Sequence, residues 1–153
     1  NVLLSYASRP KKLKTFVSSY NELMLGESGL SKLEREMIAV VVSSTNHCFY
    51  CVVAHGQAVR ELSEDPELGE MLAINYRVAG LEPRHRAMLD FAYTMTMTPS
   101  EVGDANRQSL RDVGFRDEEI FDIADTAGFF NMTNRVAAAV DMMPNPEYHG
   151  RNR

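Results

Sequence analysis

The sequence predicts an all-α chain, folded as a single domain of six or seven helices. Three observations carry that prediction. Leu13, Phe16, Val17, Tyr20, Leu23 and Met24 recur at steps of three and four, the spacing of one helix face. Helix-start signals punctuate the chain at Pro10, Ser31, Pro66, Pro83, Thr98-Pro99 and Asp117. Nine methionines and only six prolines suit helices packed around an adaptable core.

Local signals place each element in turn. Pro10 suits a first helical turn, and the periodic residues run on to Leu25, where Gly26-Glu27-Ser28-Gly29 breaks the helix. Ser31 followed by Glu34 is a capping-box pattern, so a second helix opens there and reaches about Thr45. From Met37 to Val42 it is apolar on all sides, which predicts a buried central helix. The β-branched run would also permit a strand; the capping box decides for helix. Glu34 reads as an exposed acid of the capping turn. Asn46 is expected to cap a helix from about Cys48 to Leu62. Ser63-Glu64-Asp65-Pro66 ends it and opens a short helix to Val78, followed by a turn at Gly80-Leu81. Pro83 introduces the next helix, striped by Met88, Leu89, Phe91, Ala92 and Met95. Thr98 or Ser100 caps another that reaches Val113. Gly114-Phe115 closes it, and Asp117 caps the last helix, to about Val140. The proline-rich tail is expected to be extended.

The 153 residues suffice for one real core, and no linker divides them; residues 1–29 form an N-terminal helical segment of the single domain 1–153. Apolar residues make up 44% and charged residues 24%, ordinary for a soluble protein. A net charge of −5 without a basic cluster argues against a nucleic-acid partner. No apolar run approaches the roughly 20 residues of a membrane helix, and no secretory leader is visible. The sequence opens at Asn1 rather than methionine, so residues preceding it are expected. Two cysteines at this spacing suit a redox pair in a reducing, cytoplasmic setting better than a disulfide framework.

The chemistry concentrates in Asn46-His47-Cys48-Phe49-Tyr50-Cys51-Val52-Val53-Ala54-His55. A Cys-x-x-Cys pair at a helix start shares one face, so its thiols can close a disulfide. The positive helix terminus lowers thiol pKa, and the thiolate is the reactive form. His55 stands one turn after Cys51 and two after Cys48, which makes Cys51 the better candidate nucleophile and Cys48 the resolving thiol. Glu36 opens the apolar run and is the candidate to orient His55, provided the two helices fold back on each other.

The pattern Glu36-x11-Cys48-x2-Cys51-x3-His55 resembles the signature of the alkylhydroperoxidase D and carboxymuconolactone decarboxylase superfamily. Glu34-Arg35-Glu36, Ser43, Asn46, Phe130-Asn131, Asn134-Arg135 and Pro144-Asn145-Pro146-Glu147-Tyr148-His149 resemble its peroxidase-related branch. The resemblance implies an all-helical homo-oligomer, dimer or hexamer, that reduces hydroperoxides without metal, flavin or haem. In it the match to Cys51 is peroxidatic and that to Cys48 resolving. Matches to Glu36 and His55 form a proton relay, and a lipoyl-bearing or thioredoxin-like dithiol donor restores the pair. One position departs: Tyr50 stands where the best-studied members carry a histidine, and a tyrosine is a poor base near neutrality.

Other readings stay open at this stage. The cysteines could be inert buried thiols, or zinc ligands together with His55. His55 could bond a backbone carbonyl, and Glu36 could be a capping-turn acid. Tyr50 is either a packing aromatic or a hydrogen-bond donor to the site. His149 is either a surface residue or an auxiliary group across an interface. His47 and His85 are expected at the surface. Asn131, Asn134 and Arg135 are expected to be structural or interfacial rather than catalytic. A decarboxylase-like enzyme and a non-enzymatic redox sensor are the alternative functions.

Overall fold

A computed structural model describes residues 2–153; Asn1 lies outside them. Among the described residues, helices carry the fold: α1 (Val2–Ser5), α2 (Pro10–Leu25), α3 (Lys32–Thr45), α4 (Phe49–Ser63), α5 (Pro66–Asn75), α6 (Pro83–Met97), α7 (Asp104–Asp112), α8 (Asp117–Ala139) and α9 (Glu147–Gly150). Short 3-10 helices cover Tyr76–Val78 and Pro99–Glu101.

The expected central helix is α3. Its capping box is complete: the Ser31 hydroxyl accepts from the Glu34 N–H at 3.1 Å, and the Glu34 carboxylate accepts from the Ser31 N–H at 2.7 Å. From Glu34 to Ser43 every residue is buried. Helices α4, α5, α6 and α8 pack around it. Ile38, Val40 and Val41 meet Leu72, Met88, Leu89, Ile123 and Phe130 in one core, where each fully buried aliphatic side chain contributes about 1.5–3 kcal/mol.

Charges buried with this helix hold its neighbours. The Arg35 guanidinium donates to the carbonyls of Leu23 and Gly26 at 2.9 and 3.0 Å, which satisfies the C-terminal end of α2 and pins it to α3. Glu34, expected at the surface, is buried because the Arg84 guanidinium of α6 reaches it at 3.0 Å. A buried carboxylate is tolerated where it is paired and hydrogen bonded, as this one is.

Helices α4 and α5 approach closely at Gly69. A Cβ there would stand 3.1 Å from the Gly56 carbonyl oxygen and 3.0 Å from Arg60 Cγ. Arg60 in turn donates to the carbonyls of Tyr148 and Arg151, fastening the C-terminal segment to α4.

Several expectations need correction. The described residues hold nine α-helices rather than six or seven. The two unforeseen ones, α1 and α9, are single turns, too short to carry an apolar period. The tail is therefore not wholly extended. The helix expected to run to Val78 tightens to 3-10 geometry after Asn75, whose side chain accepts from the Arg77 N–H. The helix expected from Thr98 or Ser100 divides before Asp104, where the Asn106 side chain takes the Gly103 N–H at 2.9 Å. Asn46 terminates α3 instead of capping α4, and Cys48 occupies the N-cap of α4. Arg116 rather than Asp117 is the N-cap of α8.

Candidate thiol site

The site is built at the junction of α3 and α4. His47 takes a left-handed backbone, φ 54°, which reverses the chain. The Cys48 N–H then donates to the Ser43 carbonyl at 2.9 Å, and the Cys48 carbonyl starts the ladder of α4. Cys48 thus stands at the helix mouth and Cys51 one turn in. Both are free thiols and both are buried.

The N-cap position gives the two sulfurs unequal electrostatics. The Cys51 thiol donates to the Cys48 sulfur; with the Cys51 backbone N–H and the nearby His55 and Asn134, this outweighs burial and brings Cys48 down to about 6. That same bond to Cys48, then burial, pushes Cys51 well above the ordinary thiol range, while Asn134 and Ser43 hydrogen bond to it and act in the opposite sense. The pair therefore shares its first ionisation, with the charge on Cys48 and the remaining proton on Cys51.

Glu36 and His55 meet as the folding-back of α3 and α4 requires. The Glu36 carboxylate accepts from His55 Nδ1 at 2.6 Å, and both residues are 9% exposed. With Nδ1–H committed to the carboxylate, Nε2 remains for proton exchange. The imidazole also packs edge-on against Phe130, ring centroids 4.5 Å apart, which fixes its plane.

A cavity of roughly 490 Å3 opens on this group. Cys51, His55 and Glu36 lie in its wall; Cys48 does not. The opposite wall is the N-terminal segment: Val2, Leu3 and Tyr6 of α1 and its turn, and Phe16, Val17 and Tyr20 of α2. Tyr6, Phe16 and Phe129 stack at 5.1 and 5.6 Å to form part of that wall. Tyr20 is held well above the usual phenol range, by burial and then by the Glu36 charge.

The remaining candidates divide. Tyr50 lines the cavity beside Cys51, and burial raises its pKa. His149 stands outside the cavity wall, its ring 5.8 Å from the exposed Phe49, whereas its neighbour Tyr148 lines the cavity. His47 is exposed; His85 is half-buried, 3.5 Å from Glu82. Among the described residues no group of three or more His, Cys, Asp or Glu is arranged to hold a metal ion.

Three residues at the site, Ser43, Asn46 and Asn134, were read from the sequence only as part of the resemblance, as a helix cap and as structural, not as site residues. Asn134, only 1% exposed, donates to the Ser43 hydroxyl at 3.0 Å and accepts from the Asn46 amide at 3.0 Å. The signal was present: Asn134 falls one turn after Phe130 and two after Ala127, on the buried face of α8. A polar side chain on such a face requires partners.

Comparison with known proteins agrees with this architecture. Residues 10–89 match the Carboxymuconolactone decarboxylase family. A peroxidase-related protein from Silicibacter sp. TM1040 is 65% identical, with a TM-score of 0.99 over 100% of this chain and 80% of its own. A peroxidase-related protein with an alkylhydroperoxidase AhpD core, from Ralstonia eutropha JMP134, is 43% identical, with a TM-score of 0.96 over 99% of this chain and 80% of its own. The Bacillus subtilis (strain 168) protein YdfG is 24% identical over 136 residues, 88% of this chain and 90% of YdfG. The chain belongs to the carboxymuconolactone decarboxylase family, in the superfamily that includes AhpD.

Proposed function

We propose that the protein is a thiol-dependent hydroperoxide reductase that acts in antioxidant defence. The observation that carries this reading is the placement of Cys51 in the cavity wall, one turn before a histidine locked by a buried carboxylate. The peroxidase-related neighbours support it. The Cys51 sulfur attacks the terminal peroxide oxygen, so an S–O bond forms as the O–O bond breaks. His55 Nε2 takes the thiol proton and returns it to the leaving alkoxide, which departs as the alcohol; Glu36 holds the imidazole through Nδ1. The Cys48 sulfur then attacks the sulfenic sulfur of Cys51, closing the disulfide with release of water. An external dithiol, lipoyl-bearing or thioredoxin-like, reduces the disulfide and is itself oxidised. The protein acts as a homo-oligomer in the cytoplasm, and no step in this scheme calls on a metal or organic cofactor.

Titration of free thiols before and after a slight excess of an organic hydroperoxide tests the scheme. Loss of both thiols with formation of one disulfide, and continued peroxide consumption once dithiol is supplied, is the expected result. Normal turnover by Cys51→Ser would overturn it. Retained activity on a lactone substrate with both thiols blocked would place the chemistry with the decarboxylases instead.

A further inference from the structure

The cavity wall contributed by the N-terminal segment is built from aromatic rings, and their orientation selects a ligand shape. Phe16 lies between Tyr6 and Phe129, with ring centroids 5.1 and 5.6 Å away and planes tilted by only 18° and 29°. Tyr20 adds a fourth ring, 6.5 Å from Phe16 at 21°. All four line the cavity. Because the faces of Phe16 are taken by its stacked neighbours, its edge is what remains for the cavity. Ring edges carry the positive end of the aromatic quadrupole and favour the face of another ring. The stack is also continuous with the reacting group. Phe129 meets Phe130 edge-on at 5.6 Å, and Phe130 meets the His55 imidazole edge-on at 4.5 Å.

Volume and polarity narrow the ligand further. The roughly 490 Å3 falls among small-molecule pockets, which span roughly 300–1,000 Å3. Hydrogen peroxide, about the size of two water molecules at about 30 Å3 each, would leave most of that space to solvent. Val17, Ala54, Ala58 and Val136 complete much of the wall, so an apolar body gains by entering.

We propose that the cavity takes organic hydroperoxides whose hydroperoxy group is borne on a carbon attached to an aromatic ring, and that Phe16 is the specificity-determining residue for that ring. The ring lies with its face against the edge of the stack, and the peroxide end meets Cys51 and His55 in the same cavity. The two thiols supply two electrons. The aryl-bearing alcohol and water leave, and the Cys48–Cys51 disulfide remains for the external dithiol to reduce.

The substrate assignment rests on the peroxidase reading; the preference for an aromatic ring does not, and inert alcohols test it without peroxide. In a Cys48→Ser background Cys51 is the only thiol. Its alkylation by iodoacetamide at a fixed alkaline pH is followed with 2-phenyl-2-propanol or 2-cyclohexyl-2-propanol as competitor. The two differ only in the ring, and the cyclohexyl ring is the more apolar. The phenyl alcohol is nevertheless expected to protect at roughly two- to tenfold lower concentration, the size of an edge-to-face gain. Phe16→Leu keeps an apolar side chain without a ring edge and should bring the two alcohols together; Phe16→Tyr should keep their ratio. A wall that merely closes the cavity would weaken both alcohols alike in Phe16→Leu and leave the ratio as it was. Equal protection in the parent, or an unchanged ratio in Phe16→Leu, would overturn the proposal. Turnover separates it from the reading it rests on. With both cysteines present, kcat/KM for cumene hydroperoxide should exceed that for its cyclohexyl counterpart by a similar factor, and that for hydrogen peroxide by more. Selective protection without consumption of any hydroperoxide would sink the peroxidase reading and leave the ring preference standing. Equal kcat/KM for all three would overturn the preference and leave the peroxidase reading intact.

Discussion

At the scale of single residues, the decisive feature is the asymmetry between two thiols three positions apart. Cys48 receives the helix-terminal N–H and the Cys51 proton; Cys51 has the cavity and the histidine. Contact with the cavity and acidity are thus assigned to different sulfurs. In the reduced dithiol, alkylation should occur first at Cys48, with a rate that rises with pH to a plateau and has its midpoint near 6. Peptide mapping after brief treatment checks the assignment. Replacing Cys48 by serine removes the largest influence that holds the Cys51 proton, so Cys51 should ionise at a lower pH there than in the native pair. A higher midpoint would contradict the coupling. For Glu36→Gln, the His55 ring keeps a hydrogen-bond acceptor at Nδ1 but loses its buried charged partner. Peroxide turnover should fall about a hundredfold, with thiol content and helicity unchanged. The shared face of Cys48, Cys51 and His55 was readable in the sequence, because i to i+4 geometry follows from the helix alone; the meeting of Glu36 with His55 needed two helices to fold back on each other. The inequality of the sulfurs was not readable, since it depends on Cys48 lying at the N-cap rather than inside the helix.

At the scale of elements, α3 and α4 determine the site. The left-handed His47 between them turns the chain so that Glu36 and His55 face each other across the interface. Helix α5 then supports α4 through contact at Gly69. Gly69→Ala would press a methyl against the Gly56 carbonyl and the Arg60 stem, and should cost about 1–3 kcal/mol in a denaturant titration. Because Arg60 also holds the C-terminal segment, the same variant should loosen that segment to proteolysis before the core. The long helices were readable from apolar period and caps. Helices α1 and α9 were not, because a single turn has no period. The division between Pro99–Glu101 and α7 depends on a side-chain cap from Asn106 to Gly103.

At the scale of the whole molecule, the N-terminal segment is both a packing element and a wall of the cavity. No helix among the described residues is long and apolar enough to cross a membrane. The segment is held by Arg35 from beneath and by the aromatic stack of Tyr6, Phe16 and Phe129 from the side. Phe16→Ala should lower stability by about 2 kcal/mol, less than the roughly 3–5 of a fully buried phenylalanine. It should also speed the reaction of Cys51 with a bulky disulfide reagent more than with iodoacetamide. Equal acceleration of both would mean that the segment does not limit entry. The sequence by itself determined the helical class, the buried central helix and the set of reactive side chains. These are local consequences of periodicity, capping and spacing along one chain. Only the tertiary structure decided which sulfur faces the cavity, that Glu34 is buried against Arg84, and that Asn134 stands behind the cysteines. Those outcomes depend on contacts between residues 50 to 91 positions apart, and helical periodicity carries no information about which distant faces will meet.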